Sequence, residues 1–186
     1  MIMMFLWILL GLVIFLLLAL ALNYNAMVQL RENVRNGWSQ IDVQLKRRHD
    51  LIPNLVETAK GYMAHESETL ERVMKARQQA VNATGLKDKQ EAENVLSGTL
   101  RSLFAVFENY PNLKADQQML RLQEELTSTE NKIAFARQYY NDEVNRLNTS
   151  VQSFPNNIVA NLFGFIRADF FEIKDAAEKE APKVQF

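Results

Sequence analysis

The first 30 residues contain no Lys, Arg, Asp or Glu; every such residue of the chain falls from Arg31 onward. Residues 1–22, MIMMFLWILLGLVIFLLLALAL, are apolar without a break. As an α-helix they reach about 33 Å, enough to cross a hydrocarbon core of about 30 Å. Trp7 and Tyr24 sit near the ends of the run, where amphipathic rings favour the headgroup layer. A cleaved signal peptide is the competing reading, because Ala19-Leu20-Ala21 has the small-x-small pattern of a cleavage site. Two features oppose it. The run has no basic n-region, and it exceeds the ~7–15 residues of a signal core. The expectation is an uncleaved transmembrane helix over residues 1–22, with the lipid bilayer as the partner of Met1 to Leu22. Arg31 and Arg35 follow closely, and Lys46, Arg47 and Arg48 come further on. The positive-inside rule then puts the N-terminus outside and the helical domain in the cytoplasm, as a single-pass protein of the plasma membrane.

The rest of the chain is long enough for one domain with a core. Its net charge of −1 provides no field to attract nucleic acid or an acidic substrate, so no nucleic-acid partner is expected. Without cysteine there is no disulfide, no thiolate nucleophile and no Cys-based zinc site.

After the anchor and a helical connector over residues 23–37, apolar positions recur at helical spacing. Trp38, Ile41, Leu45, Arg48, Ile52, Leu55, Ala59, Tyr62, Glu66, Thr69, Val73, Ala76 and Ala80 alternate steps of three and four. The phase is the same before and after Pro53. This predicts one long helix kinked at Pro53, where the ring meets the carbonyl of His49; a break at Pro53 is the alternative. NATG at 82–85 ends it, with Gly85 suited to a left-handed turn. A second helix is expected from about Asp88 to Asn109, with Leu96, Leu100, Leu103, Phe107 and Tyr110 inward. After a turn around Pro111, a third runs from about Asp116 to Gln152 on a seam from Met119 through Leu122, Leu126, Ile133, Tyr140, Glu143 and Leu147 to Ser150. The stretch IVANLFGFIRADFF at 158–171 is too brief to span a bilayer and reads as a short cover for the open end of the bundle. Residues 172–186 read as a flexible polar tail. The fold class is therefore all-α. An N-terminal transmembrane helix is followed by an antiparallel bundle over residues 38–171, with three long helices and a short fourth.

Particular stretches carry a resemblance. IDVQLKRRHDLIPNLVETAKGY, AENVLSGTLRSLFAVFENYPNLKA, LQEELTSTENKIAFARQYYNDEVNRLN and FP…FGF together resemble the LemA family from Tyr24 to Glu172. Gly37 departs mildly, since relatives often carry alanine there. The resemblance implies a membrane-anchored, antiparallel helical bundle with a small N-terminus outside, and no established catalytic activity. It also implies kinship with proteins associated with membrane-organelle formation, and with others encoded beside a membrane metalloprotease.

The residues that invite a chemical reading lie between Trp38 and Glu66. His49 and His65 would sit about 24 Å apart along one continuous helix, too far to share an ion. His65-Glu66 begins HESET, which lacks the second His of a zinc-protease helix, and no Glu-x-x-His pair suits a di-iron bundle. Neither a Gly-x-Ser-x-Gly elbow nor a phosphate-binding glycine loop is present. No catalytic, cofactor-binding or metal-ligating residue is therefore expected. The cluster Lys46, Arg47, Arg48 has two standing readings. One is internal pairing: Asp42 with Lys46, Arg47 with Asp50, and Arg48 with Glu124, Glu125, Glu130 or Glu143. The other makes Lys46, Arg47, Arg48, Pro53 and Asn54 a partner-binding surface, because a helical proline leaves a carbonyl without its donor. Gly37, Gly61 and Gly98 fall inside expected helices, where close approach of helices is the plain explanation. The functional expectation is a non-enzymatic scaffold or adaptor at the membrane, self-associating as a homo-oligomer. The alternatives are a regulatory partner of a membrane protease such as a metalloprotease, and a metal-dependent hydrolase using His65 and Glu66.

Overall fold

The structure is a computed structural model, and it describes residues 1–63 and 65–172. The expected polar tail, apart from Glu172, lies outside the described residues. Among them every regular element is helical: α1 Ile2–Lys60, α2 Ser67–Asn82, α3 Leu86–Phe107, α4 Pro111–Lys114, α5 Gln117–Gln152 and α6 Asn156–Phe163. The all-α expectation holds. The chain divides into two compact units, one of Met1–Gln40 with Ala136–Phe170, the other of Ile41–Phe135 with the segment from Phe171.

In the second unit the helices alternate in direction. Pro53 does not end α1; the helix passes through it and stops at Lys60. The break comes instead at residues 61–66, where one expected helix becomes two. Gly61 is the weak point, since glycine costs about 1 kcal/mol in a helix interior relative to alanine. The chain turns there, with Met63 buried and Tyr62 exposed. It then runs back along α1, so that Arg77 of α2 lies beside His49 of α1. The α3 helix returns in the direction of α1, pairing Lys89 with Asp42 and Glu93 with Arg48. Opposed to α1, α5 brings Glu125 to Arg47 and Glu130 to Arg48. The result is an up-down-up-down arrangement of four helical segments. Its core is aliphatic: Ile52, Leu55, Ala59 and Met63 meet Leu70, Val73, Leu96, Leu103, Leu113 and Met119.

Short-range chemistry sets the ends of these helices. Gly85 has φ +84 and ψ 162, a conformation open to glycine, and stands as the N-cap of α3 rather than in the left-handed turn expected of it. Pro111 opens α4, where its missing N–H costs nothing. Asp116 accepts the Met119 N–H at 2.8 Å, satisfying one of the free donors at the start of α5.

In the first unit, α1 and α5 are opposed and approach closely. A β-carbon on Gly37 would stand 3.1 Å from the Tyr140 Cα, so Gly37 does mark a near contact. Gly98 has open space around it, and close approach does not explain that glycine. Trp38 meets the Tyr140 ring edge-on at 5.8 Å. Glu143 is buried with Asn33 Nδ2 at 3.1 Å and Arg146 Nη1 at 2.9 Å. The following α6 helix ends at Gly164 in the left-handed conformation, φ 73 and ψ 28. Val159 and Ala160 on its inner face, and Phe165 just beyond it, pack against Met27, with Leu20 and Val28 alongside. Residues 1–18 are exposed all round. A helix apolar on every face is one that another apolar phase must cover.

Candidate functional site

Arg48 is the most conspicuous side chain in the second unit: a guanidinium only 2 % exposed, on the apolar seam of α1. A charge in that position is sustained only by partners. Its Nη2 donates to Glu93 Oε2 of α3. Its Nη1 donates to Glu130 Oε2 of α5 at 2.6 Å and to Ser97 Oγ of α3 at 2.9 Å. The second oxygen of Glu93 meets His49 Nε2 at 2.7 Å. Arg48 therefore ties α1 to two other helices, while Glu93 holds two consecutive residues of α1. The Arg48 Nε is buried without a hydrogen-bond partner among the described residues.

The electrostatics follow from that geometry. Burial pushes the Glu93 carboxyl upward, but the hydrogen bond from His49 and the charge of Arg48 outweigh it. Glu93 is held below the usual carboxylate range. A carboxylate so stabilised is a poor proton acceptor, and each of its oxygens is already engaged, one by Arg48 and one by His49. The cluster fits a structural strut better than a general base.

Pro53 raises a separate question, and α2 answers it. A proline at 53 cannot donate to the carbonyl of His49 one turn earlier. Arg77 Nε donates to that oxygen at 2.6 Å. The carbonyl expected to be open is thus closed by the next helix. Pro53 instead lines a groove of about 480 Å³ between α1 and α2, with Val56, Met63, Leu70 and Met74 among its walls. Lys46 and Asn54 are exposed. Arg47 is half-exposed and lies 3.7 Å from Glu125.

Within the basic stretch Arg47 and Arg48 are paired internally, and the local pairs expected around them do not form. Asp42 meets Lys89 at 2.7 Å rather than Lys46, and Arg47 meets Glu125 rather than Asp50. Of Glu124, Glu125, Glu130 and Glu143, Glu130 is the one that meets Arg48, and Glu93 of α3 joins it as an unexpected second partner. The signal for Glu93 lay in the α3 seam, since stepping back four and three residues from Leu100 reaches Leu96 and then Glu93. His65 is exposed in the turn after α1, and Glu66 is engaged by Tyr110 at 3.4 Å and Thr69 at 3.3 Å. Because α1 ends at Lys60, the single-helix distance between His49 and His65 does not apply. Among the described residues no group of three or more His, Asp or Glu side chains is placed to hold a metal ion.

This helical pattern has a match among known families: a model of the LemA family covers residues 37–186. The chain belongs to the LemA family. It is similar to the magnetosome protein MamQ 2 of Paramagnetospirillum magneticum, at 25% identity over 86% of this chain and 68% of that protein. MamQ of Magnetospirillum gryphiswaldense is 23% identical over the same shares. Protein LemA of Metamycoplasma hominis is 24% identical over 81% of this chain and 69% of its own length. As a LemA-family chain with one helix, among the described residues, long and apolar enough to cross a membrane, it is a membrane-associated helical protein.

Proposed function

We propose that this chain is a single-span membrane anchor joined to a non-catalytic scaffold or adaptor bundle. The observation that carries the reading is the continuity of α1. One helix leads from an exposed apolar run into a bundle whose buried charges are engaged with one another. Kinship with proteins named for the magnetosome supports the membrane side of this reading. Arg31 and Arg35, just beyond the span, favour a cytoplasmic bundle.

Self-association belongs to the same proposal. Val43 and Phe135 are exposed, and the register set by Arg48 and Glu130 brings them level on opposed helices. Together they offer an apolar patch for a second copy. Lys46, Arg47 and Asn54 offer a polar surface beside the Pro53 groove for another protein. Crosslinking with mass spectrometry in intact membranes tests both, after an alkaline wash has separated anchored from peripheral protein. Crosslinks between copies near Val43 and Phe135, in protein that stays in the washed membrane, are the expected result. Release by the wash would overturn the anchor. Absence of intermolecular crosslinks at native abundance would overturn self-association.

Two other readings have their own tests. A regulatory partner of a membrane protease would co-purify with it from mild detergent. A hydrolase using His65 and Glu66 would lose activity and unfold earlier with chelator, and His65→Ala would abolish both effects.

A further inference from the structure

The first unit has a second apolar surface besides the exposed run of α1. Phe154, Ile158, Leu162 and Ile166 recur every four residues through α6 and its flanks, and all four are exposed, Phe154 and Ile166 each at 80 %. Residues 154–166 contain no charged side chain. The opposite side of the same segment is packed: Val159, Ala160 and Phe165 lie against Met27 and Leu20 of α1. Tyr24 meets Phe163 at 4.8 Å and Phe165 at 5.8 Å between ring centroids.

Those contacts fix the level of α6 along α1. It sits beside Leu20 to Val28, where the apolar run gives way to the first polar residues. That stretch of helix covers about 12 Å of axis, comparable to the headgroup and upper acyl layer in which interfacial helices lie, some 5–10 Å deep. Arg167 follows Ile166 and is exposed, and the Arg31 guanidinium lies 5.4 Å from the Phe165 ring centre. Cations at that depth match anionic headgroups. A segment this short cannot span a bilayer, but it can lie in its surface.

We infer that α6, with Phe154 and Ile166 on its flanks, is a second membrane contact. It inserts its outer face into the headgroup boundary of the leaflet through which α1 leaves the bilayer. The inference rests on the proposed reading of α1 as a span. The first unit then has two attachments to the membrane, one spanning and one lying in its surface.

The absence of cysteine allows single labels to be placed cleanly. The full chain is reconstituted in phosphatidylcholine vesicles, with and without phosphatidylglycerol. Nitroxides are attached in turn to Leu9→Cys, Ile158→Cys, Leu162→Cys and Asp50→Cys, with circular dichroism as the check on folding. Accessibility to oxygen and to a water-soluble nickel complex reports depth. The expected result is a deep label at 9, interfacial labels at 158 and 162, and a fully aqueous label at 50. Phosphatidylglycerol should deepen the labels at 158 and 162. A lipid-buried label at 9 with aqueous labels at 158 and 162 would overturn the inference while leaving the span intact. An aqueous label at 9 would overturn the span, and the inference with it. Spin–spin broadening at 158 and 162 without lipid access would identify a second copy as the occupant and overturn the inference.

Discussion

The largest fully buried side chain of the second unit is an arginine, whereas the most exposed large apolar side chains beside α6 in the first unit are a phenylalanine and an isoleucine. Each inverts the ordinary rule that charge faces water and apolar surface does not. The inversions have different remedies. Arg48 is answered from within, by Glu93, Glu130 and Ser97. Phe154 and Ile166 have no such cover among the described residues. A charge closed on itself marks a part of the molecule that completes its own structure. An open apolar face marks a part that another phase completes. Damage to the first should appear as lost stability, and damage to the second as altered placement at the membrane.

The largest effect expected is at Glu93. Glu93→Ala leaves the Arg48 guanidinium buried beside an empty space, and breaking a buried pair in this way costs about 3–5 kcal/mol. Urea unfolding of the full chain in detergent micelles measures it. A loss below about 1 kcal/mol, the range of exposed pairs, would erase the contrast between the units.

Arg77 comes next. Arg77→Leu removes the donor to the His49 carbonyl, and an unmet buried acceptor costs about 1–3 kcal/mol. The same substitution in a Pro53→Ala background should cost less, because the alanine N–H restores the helical bond. Equal losses in both backgrounds would show that the proline and the arginine are not linked.

The smallest effect belongs to the open face. Ile158→Ser replaces an exposed side chain and should change unfolding in micelles by no more than about 0.5 kcal/mol. A large loss would place Ile158 in a packed core, and the two regions would no longer differ in kind.

Much of this architecture was legible because burial follows period. Ile41, Leu45, Ile52, Leu55, Leu96, Leu103, Met119, Leu126 and Ile133 all lie on seams readable from steps of three and four, and all are buried. What escaped was whatever depends on distant segments meeting. The turn at 61–66 is hidden in the sequence because the apolar phase happens to continue across it, and Pro53 is a stronger helix-breaking signal than Gly61. The carbonyl of His49 looked vacant until α2 folded back to supply Arg77. Local pairing of Asp42 with Lys46 gave way to Lys89, an ion pair between helices 47 residues apart in sequence. Arg48 was recognisable as a charge needing a partner. Glu93 carries no such mark, because a glutamate on a helix ordinarily faces water.

The central claim is that the candidate site is an ionised strut closed on itself rather than a centre awaiting a substrate. The direct measurement is the difference in unfolding free energy between the parent and Glu93→Gln, followed from pH 7 to pH 3. Glu93 is held below its ordinary value of 4.5. Its contribution should therefore be complete above about pH 4.5 and fade as pH falls through the lower folded value. The account predicts a gap that is constant from pH 7 to about pH 5 and closes below it, as the parent's Glu93 becomes as neutral as glutamine. A gap that shifts in the parent's favour as pH falls from 7 to about 4.5 would mean that the Glu93 carboxyl is protonated in the folded chain, and a gap flat throughout would mean that its pKa is not lowered; either result would contradict the account.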